Sequence, residues 1–158
     1  MSTIEVGQVL FLDLKEYTSN NRCLCLVVDV DESLNVVEIV RIHPLAGNEY
    51  KAIKKCNKVI YHDDPIETVI EQDSYIQMDH RMRLENCAEL EKYRRQTDKL
   101  SHDKLQDVLR AYRRYQDSHD LDKEKNVYIE MGEIRFMNEK YVEKPSIVRN
   151  PWGIYARR

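Results

Sequence analysis

Residues 20–32, NNRCLCLVVDVDE, place one arginine, Arg22, immediately before an apolar run and close that run with three acids. Leu24, Leu26, Val27 and Val28 follow one another too continuously for a strand with one wet face, so residues 22–30 are expected to form a central strand covered on both sides. The guanidinium at its mouth needs a partner, and Asp29, Asp31 and Glu32 are available to it for a surface ion pair.

The neighbouring stretches supply partners for such a strand. In VGQVLFLDL, residues 6–14, Leu10, Leu12 and Leu14 share one face and Val9, Phe11 and Asp13 the other, which predicts a short strand with most of its length covered. DESLN (31–35) reads as a turn, and VVEIVRIH (36–43), rich in β-branched residues, as a third strand ended by Pro44 and Gly47. A fourth is expected near 53–61, where Lys54, Lys55 and Lys58 must find solvent, and SYIQMDH (74–80) as the last core strand.

Beyond residue 85 the period changes. Asn86 is placed to cap a helix through CAELEKYRRQ. Ser101 caps a stronger one, with Asp103 meeting its dipole and Leu105, Val108, Leu109, Tyr112 and Tyr115 forming one apolar stripe. DSHDLDKEK (117–125) reads as a linker, NVYIEM and EIRFMN as a small hairpin across Gly132, and KPSIVRNPWGIYARR as an irregular tail anchored by Trp152, Ile154 and Tyr155.

At 158 residues the chain is about one domain's worth, divided into a barrel with helices (1–116) and an extension (117–158). The expected class is mainly β with α: a small SH3-like antiparallel β-barrel followed by C-terminal helices, the added hairpin and the tail. A net charge of -3 argues against a global polyanion-binding field and leaves room for a local basic patch. No apolar stretch approaches the roughly 20 residues of a membrane span and no leader pattern opens the chain, so a cytoplasmic protein is expected. Four cysteines without a CxxC pair, and scattered histidines, point to buried thiols in a reducing compartment rather than zinc. GxGxxG, P-loop, serine-elbow and HExxH patterns are all absent from the sequence, and no cofactor is expected. Catalysis would have to come from ordinary side chains gathered at the barrel mouth.

Three local patterns, in this order of elements, resemble the MazF/PemK family of toxin ribonucleases of toxin-antitoxin systems over roughly residues 5–115. Gly7 opens a strand that closes at Asp13; Arg22 opens the second strand, with Cys23 where the family usually has proline; and Asp79 matches the acid of an acid-glutamine pair, with His80 in place of the glutamine. Leu100, Ser101, Leu105, Val108 and Leu109 match the start and stripe of the family's following helix. The resemblance implies a MazF-like barrel and metal-independent cleavage of single-stranded RNA, in which the ribose 2′-hydroxyl attacks the adjacent phosphate. That chemistry needs a base, an acid and a cation for the charge building on the phosphate oxygens.

On this reading Arg22, Asp79, His43 and His80 are the catalytic candidates, and Arg41, Lys54, Lys55, Arg81 and Arg83 the RNA contacts. His43 stands where the family often has threonine or serine, and its ring titrates near neutrality. The alternative reading makes His43 a partly buried strand-end histidine, and Asp79 with His80 a hydrogen-bonded tie between strand and helix. The implied partners are single-stranded RNA, an antitoxin filling the RNA groove, and a second copy in a homodimer. A reading from another class is a non-catalytic barrel module of a mobile element that binds RNA or protein.

Overall fold

The computed structural model describes residues 2–18, 22–64, 66–118 and 125–141. β1 (Val9–Asp13), β2 (Arg22–Asp31), β3 (Val36–Pro44), β4 (Asn57–Ile60) and β5 (Ser74–Glu85) form a curled sheet in the order β1-β2-β3-β5-β4, all neighbours antiparallel. β6 (Lys125–Ile129) joins it parallel to the C-terminal half of β5. The molecule is thus mainly β, a half-closed barrel of six strands with helices after them.

Curling follows from two irregularities. The β2–β3 register shifts between Val27 and Asp29. Between the pairs Ile39 with Met82 and Arg41 with Gln77, the four β5 residues 78–81 stand against Val40 alone. Such a bulge bends its strand and re-aims its side chains. As a result β5 residues of one parity serve two cores, Ile76 and Met78 on one face of the sheet, Met82 and Leu84 on the other.

Both faces are covered, as the continuous apolar runs require. On the first, Leu10, Leu12, Cys25, Val27 and Ile39 meet Ile129, Ile134 and Met137. On the second, Val9, Leu26, Val40 and Ile42 meet Leu105, Val108, Leu109, Tyr112 and Tyr115 from α2 (His102–Ser118), the stripe expected from its 3.6-residue period. Gly7 lets the chain enter β1: its φ of +97° is left-handed, its N–H reaches Val27 at 2.9 Å, and its carbonyl accepts from Leu100 at 2.9 Å.

Four expectations are corrected. The second arm of the hairpin is a helix, α3 (Met131–Asn138), in which Glu130 and Glu133 form a capping box and Met131, Ile134, Met137 and Asn138 turn inward at helical spacing. The first arm, β6, pairs with β5 instead. CAELEKYRRQ forms only a 3-10 turn, Ala88–Tyr93, with Cys87 at its cap, because Leu90 and Tyr93, three apart, are its buried residues. Asn86 is itself buried and accepts from the Ser2 hydroxyl. β5 runs on to Glu85 rather than stopping at His80, and residues Glu49–Ala52 form a short helix, α1, ahead of β4.

β6 and α3, from the segment set apart as an extension, supply Ile129, Met131, Ile134 and Met137 to the first core. The tail and most of the linker lie outside the described residues. Among the described residues, no helix is long and apolar enough to cross a membrane.

Candidate functional site

The bulge in β5 decides what the sheet presents. Arg41, Gln77 and Asn57 stand in one cross-strand row, and His43, Tyr75 and Val59 in the next. Residues paired across a ladder share a face, so the alternation of β3 and β5 brings Arg41, His43, Tyr75 and Gln77 to one side of the sheet. Asp79, two residues beyond Gln77, is turned back toward it. With α1 and the loop behind it, these residues line a cleft of about 440 Å³ that also takes in Lys51 and Lys54.

A hydrogen-bonded chain crosses the cleft. The Gln77 side-chain amide donates through Nε2 to Asp79 Oδ1 at 2.7 Å, which leaves its Oε1 to accept from His43 Nε2 at 2.8 Å. The network thereby assigns the proton of neutral His43 to Nε2 and the lone pair to Nδ1. The ring also packs against Tyr75, centroids 5.0 Å apart. Burial holds the His43 pKa below its ordinary value. The bond to Gln77 and the Asp79 charge push it up, the nearby Arg41 and Lys51 cations push it down, and the net direction is downward. His43 is therefore a neutral imidazole at neutral pH, with one nitrogen fixed as donor and the other able to take a proton.

Arg41 is only 5% exposed and is carried by the centre of β3 opposite Cys25. Its Nη2 lies 3.4 Å from His80 Nδ1. It forms the cationic wall of the cleft. Cys23 and Cys25, on the same face, have their sulfurs 3.7 Å apart and are not joined in a disulfide.

The other expected site residues divide. Lys54 lines this cleft; Lys55 is exposed and lines a separate depression with Lys58 and Arg114. Arg81 and Arg83 are held by Glu38, each Nε 3.2 Å from Oε1, while Tyr112 donates to Oε2 at 2.6 Å. Glu38 is 6% exposed, so this cluster ties the strands to α2. His80 sits in the bulge beside Arg41, at the border between the cleft and that cluster.

Arg22 is not brought together with His43 and Asp79. It alternates with Cys23 and Cys25 and shares the face of Leu24, whereas Arg41 pairs with Cys25 on the opposite face. Its guanidinium lies over two rings, with its central carbon 4.2 Å from the Phe11 centroid and 4.4 Å from that of Tyr141. These rings open on a second cleft of about 630 Å³.

Sequence reasoning missed Gln77 as the link between histidine and acid, although its place two residues before Asp79 on a strand was a usable signal. Lys51 and Tyr141 carried none, because a one-turn helix and a short 3-10 turn place them. No protein-family model matches the chain, and a comparison with curated proteins finds no match either.

Proposed function

We propose that the chain is a toxin-like endoribonuclease that cleaves single-stranded RNA without a metal, using the cleft of Arg41, His43, Gln77 and Asp79. The observation that carries this reading is the hydrogen-bonded chain from His43 through Gln77 to Asp79 beside a buried arginine. His43 Nδ1 takes the proton of the ribose 2′-hydroxyl as its oxygen attacks the adjacent phosphorus. The P–O5′ bond breaks, a 2′,3′-cyclic phosphate forms, and the leaving 5′-oxygen takes a proton from water at the cleft mouth. Arg41, with Lys51 and Lys54, meets the charge that accumulates on the phosphate oxygens. Asp79 is a positioning residue: it orients Gln77, which holds the His43 tautomer. The resemblance to MazF/PemK toxins extends the proposal to an antitoxin partner and a homodimer.

The second reading, a non-catalytic module binding RNA or protein, is favoured by one observation, the position of Arg22 on the opposite face. Incubating the protein with a long single-stranded RNA in EDTA separates the two. The expected result is cleavage leaving cyclic phosphate and 5′-hydroxyl ends, reduced roughly 10²–10⁴-fold in His43→Ala and impaired in Asp79→Asn. Intact RNA with the parent protein would favour the binding module, and cleavage unchanged in both variants would move the chemistry elsewhere.

A further inference from the structure

The second cleft, at the β1 edge of the sheet, is not used by that chemistry. Arg22, Arg94, Arg95 and Lys92 all line it, and no carboxylate does among the described residues. In a chain of net charge -3 this is a concentrated positive surface. Phe11, Tyr93 and Tyr141 give it flat apolar walls.

Two features point to a ligand. Arg22 makes cation-π contacts with both Phe11 and Tyr141, and among the described residues it has no hydrogen bond or ion pair. Its planar fork of N–H donors is thus oriented in advance and unspent. Tyr93 is 9% exposed, lines the cleft, and its buried hydroxyl has no hydrogen-bond partner. Burying such a group unpaired costs free energy that a polar ligand atom would recover. Arg94 and Arg95 are held at the rim by Thr3 at 3.0 Å and by Glu71 at 2.7 Å. Glu71 is an exposed partner that a phosphate can replace at little cost.

We propose that this cleft binds a nucleoside phosphate. The aromatic walls take the base, Arg22 and Arg94 take the phosphate as a fork, and the Tyr93 hydroxyl bonds a polar edge of the ligand. The volume lies within the range of roughly 300–1,000 Å³ typical of small-ligand sites. A free phosphate ion would leave the apolar part of the lining without a partner. The nucleotide comes either from solution or from a single-stranded RNA. Arg95 also lines a smaller depression, about 120 Å³, that His43 lines as well, so the two clefts are linked through it.

The test is calorimetric titration with AMP, GMP, CMP and UMP, with the matching nucleosides, and with inorganic phosphate. At least one monophosphate is expected to bind ten times or more tighter than either part alone. Arg22→Gln should weaken it about tenfold or more, and Tyr93→Phe by about three- to tenfold with no loss of thermal stability. Arg113→Gln, an exposed charge on α2, should leave it unchanged. A 2′-O-methyl RNA strand, which has no attacking hydroxyl, then identifies the source. Weakening by Arg22→Gln of the strand as well as the monophosphate assigns the site to RNA, and weakening of the monophosphate alone assigns it to free nucleotide. Because neither probe can be cleaved, the outcome is independent of ribonuclease activity. Equal binding of phosphate and monophosphates, no binding of any monophosphate, or wild-type affinity in both Arg22→Gln and Tyr93→Phe would overturn the proposal.

Discussion

Replacing Glu38 by glutamine tests what holds Arg81 and Arg83. The Glu38 carboxylate accepts from both guanidinia at 3.2 Å, from Tyr112 at 2.6 Å and from Gln116 at 3.4 Å, and it is almost completely buried. An amide there keeps one acceptor but sets two donors where an acceptor stood, facing either the guanidinia, which only donate, or Tyr112 and Gln116, which must reverse their roles to accept, and it removes the negative charge that the two arginines share. Removing one partner of a buried ion pair costs about 3–5 kcal/mol. Arg81 and Arg83 retain 23% and 30% of their side-chain surface, so water recovers part of this and the lower figure, about 3 kcal/mol, is expected. For a chain of this length that is a fall of roughly 6–12 °C in Tm. Tyr112→Phe, which removes one bond to a charged acceptor, should cost about 1.5–2 kcal/mol. Because the two share a partner, the double variant should lose less than the sum. Urea unfolding followed by circular dichroism measures all three. A Glu38→Gln protein within about 0.5 kcal/mol of wild type would refute the buried cluster and leave Arg81 and Arg83 as candidates for contact with RNA.

Four other outcomes are expected. On the proposed mechanism, in which the neutral His43 ring is the base, RNA cleavage should rise with pH through an inflection below the ordinary histidine value of 6.5, because burial lowers the His43 pKa. The same depression means that the stability contribution is complete above pH 6.5 and falls as pH drops from there toward the folded-state pKa; wild-type and His43→Gln unfolding compared from pH 7.5 to 5 would reveal a missing slope. Ile134→Ala should cost about 3 kcal/mol in urea unfolding, since the side chain is fully buried in the first core, whereas a loss below about 1 kcal/mol would make α3 peripheral. Gly7→Ala should cost about 2 kcal/mol, because φ is +97° and the new Cβ would stand 2.8 Å from Leu105 Cδ2; unchanged stability would show that the turn can relax.

Much of the fold is legible in the chain because burial on both faces of a sheet leaves continuous apolar runs. β1, β2 and β3 were readable within a residue or a few, and the α2 stripe residue by residue. The hairpin assignment failed because YIEMGEIRFM satisfies period 2 and period 3.6 at once. The capping box and the waiting core under Ile134 and Met137 settle it as helix. The site was half legible: a histidine, an acid and arginines of the right chemistry stand in the sequence, but nothing in their spacing says which share a face.

The mainly β class, the central place of β2, the stripe of α2 and the residue types available for acid-base work are written in the chain itself, because they depend on local periodicity and side-chain chemistry. That β6 runs parallel to β5, that Arg81 and Arg83 belong to Glu38, and that His43 reaches Asp79 through Gln77 while Arg22 stands across the sheet emerges only on folding. Those outcomes turn on where two strands slip register. A bulge of a few residues in β5 costs little in local preference, yet it sets the face on which every later side chain emerges.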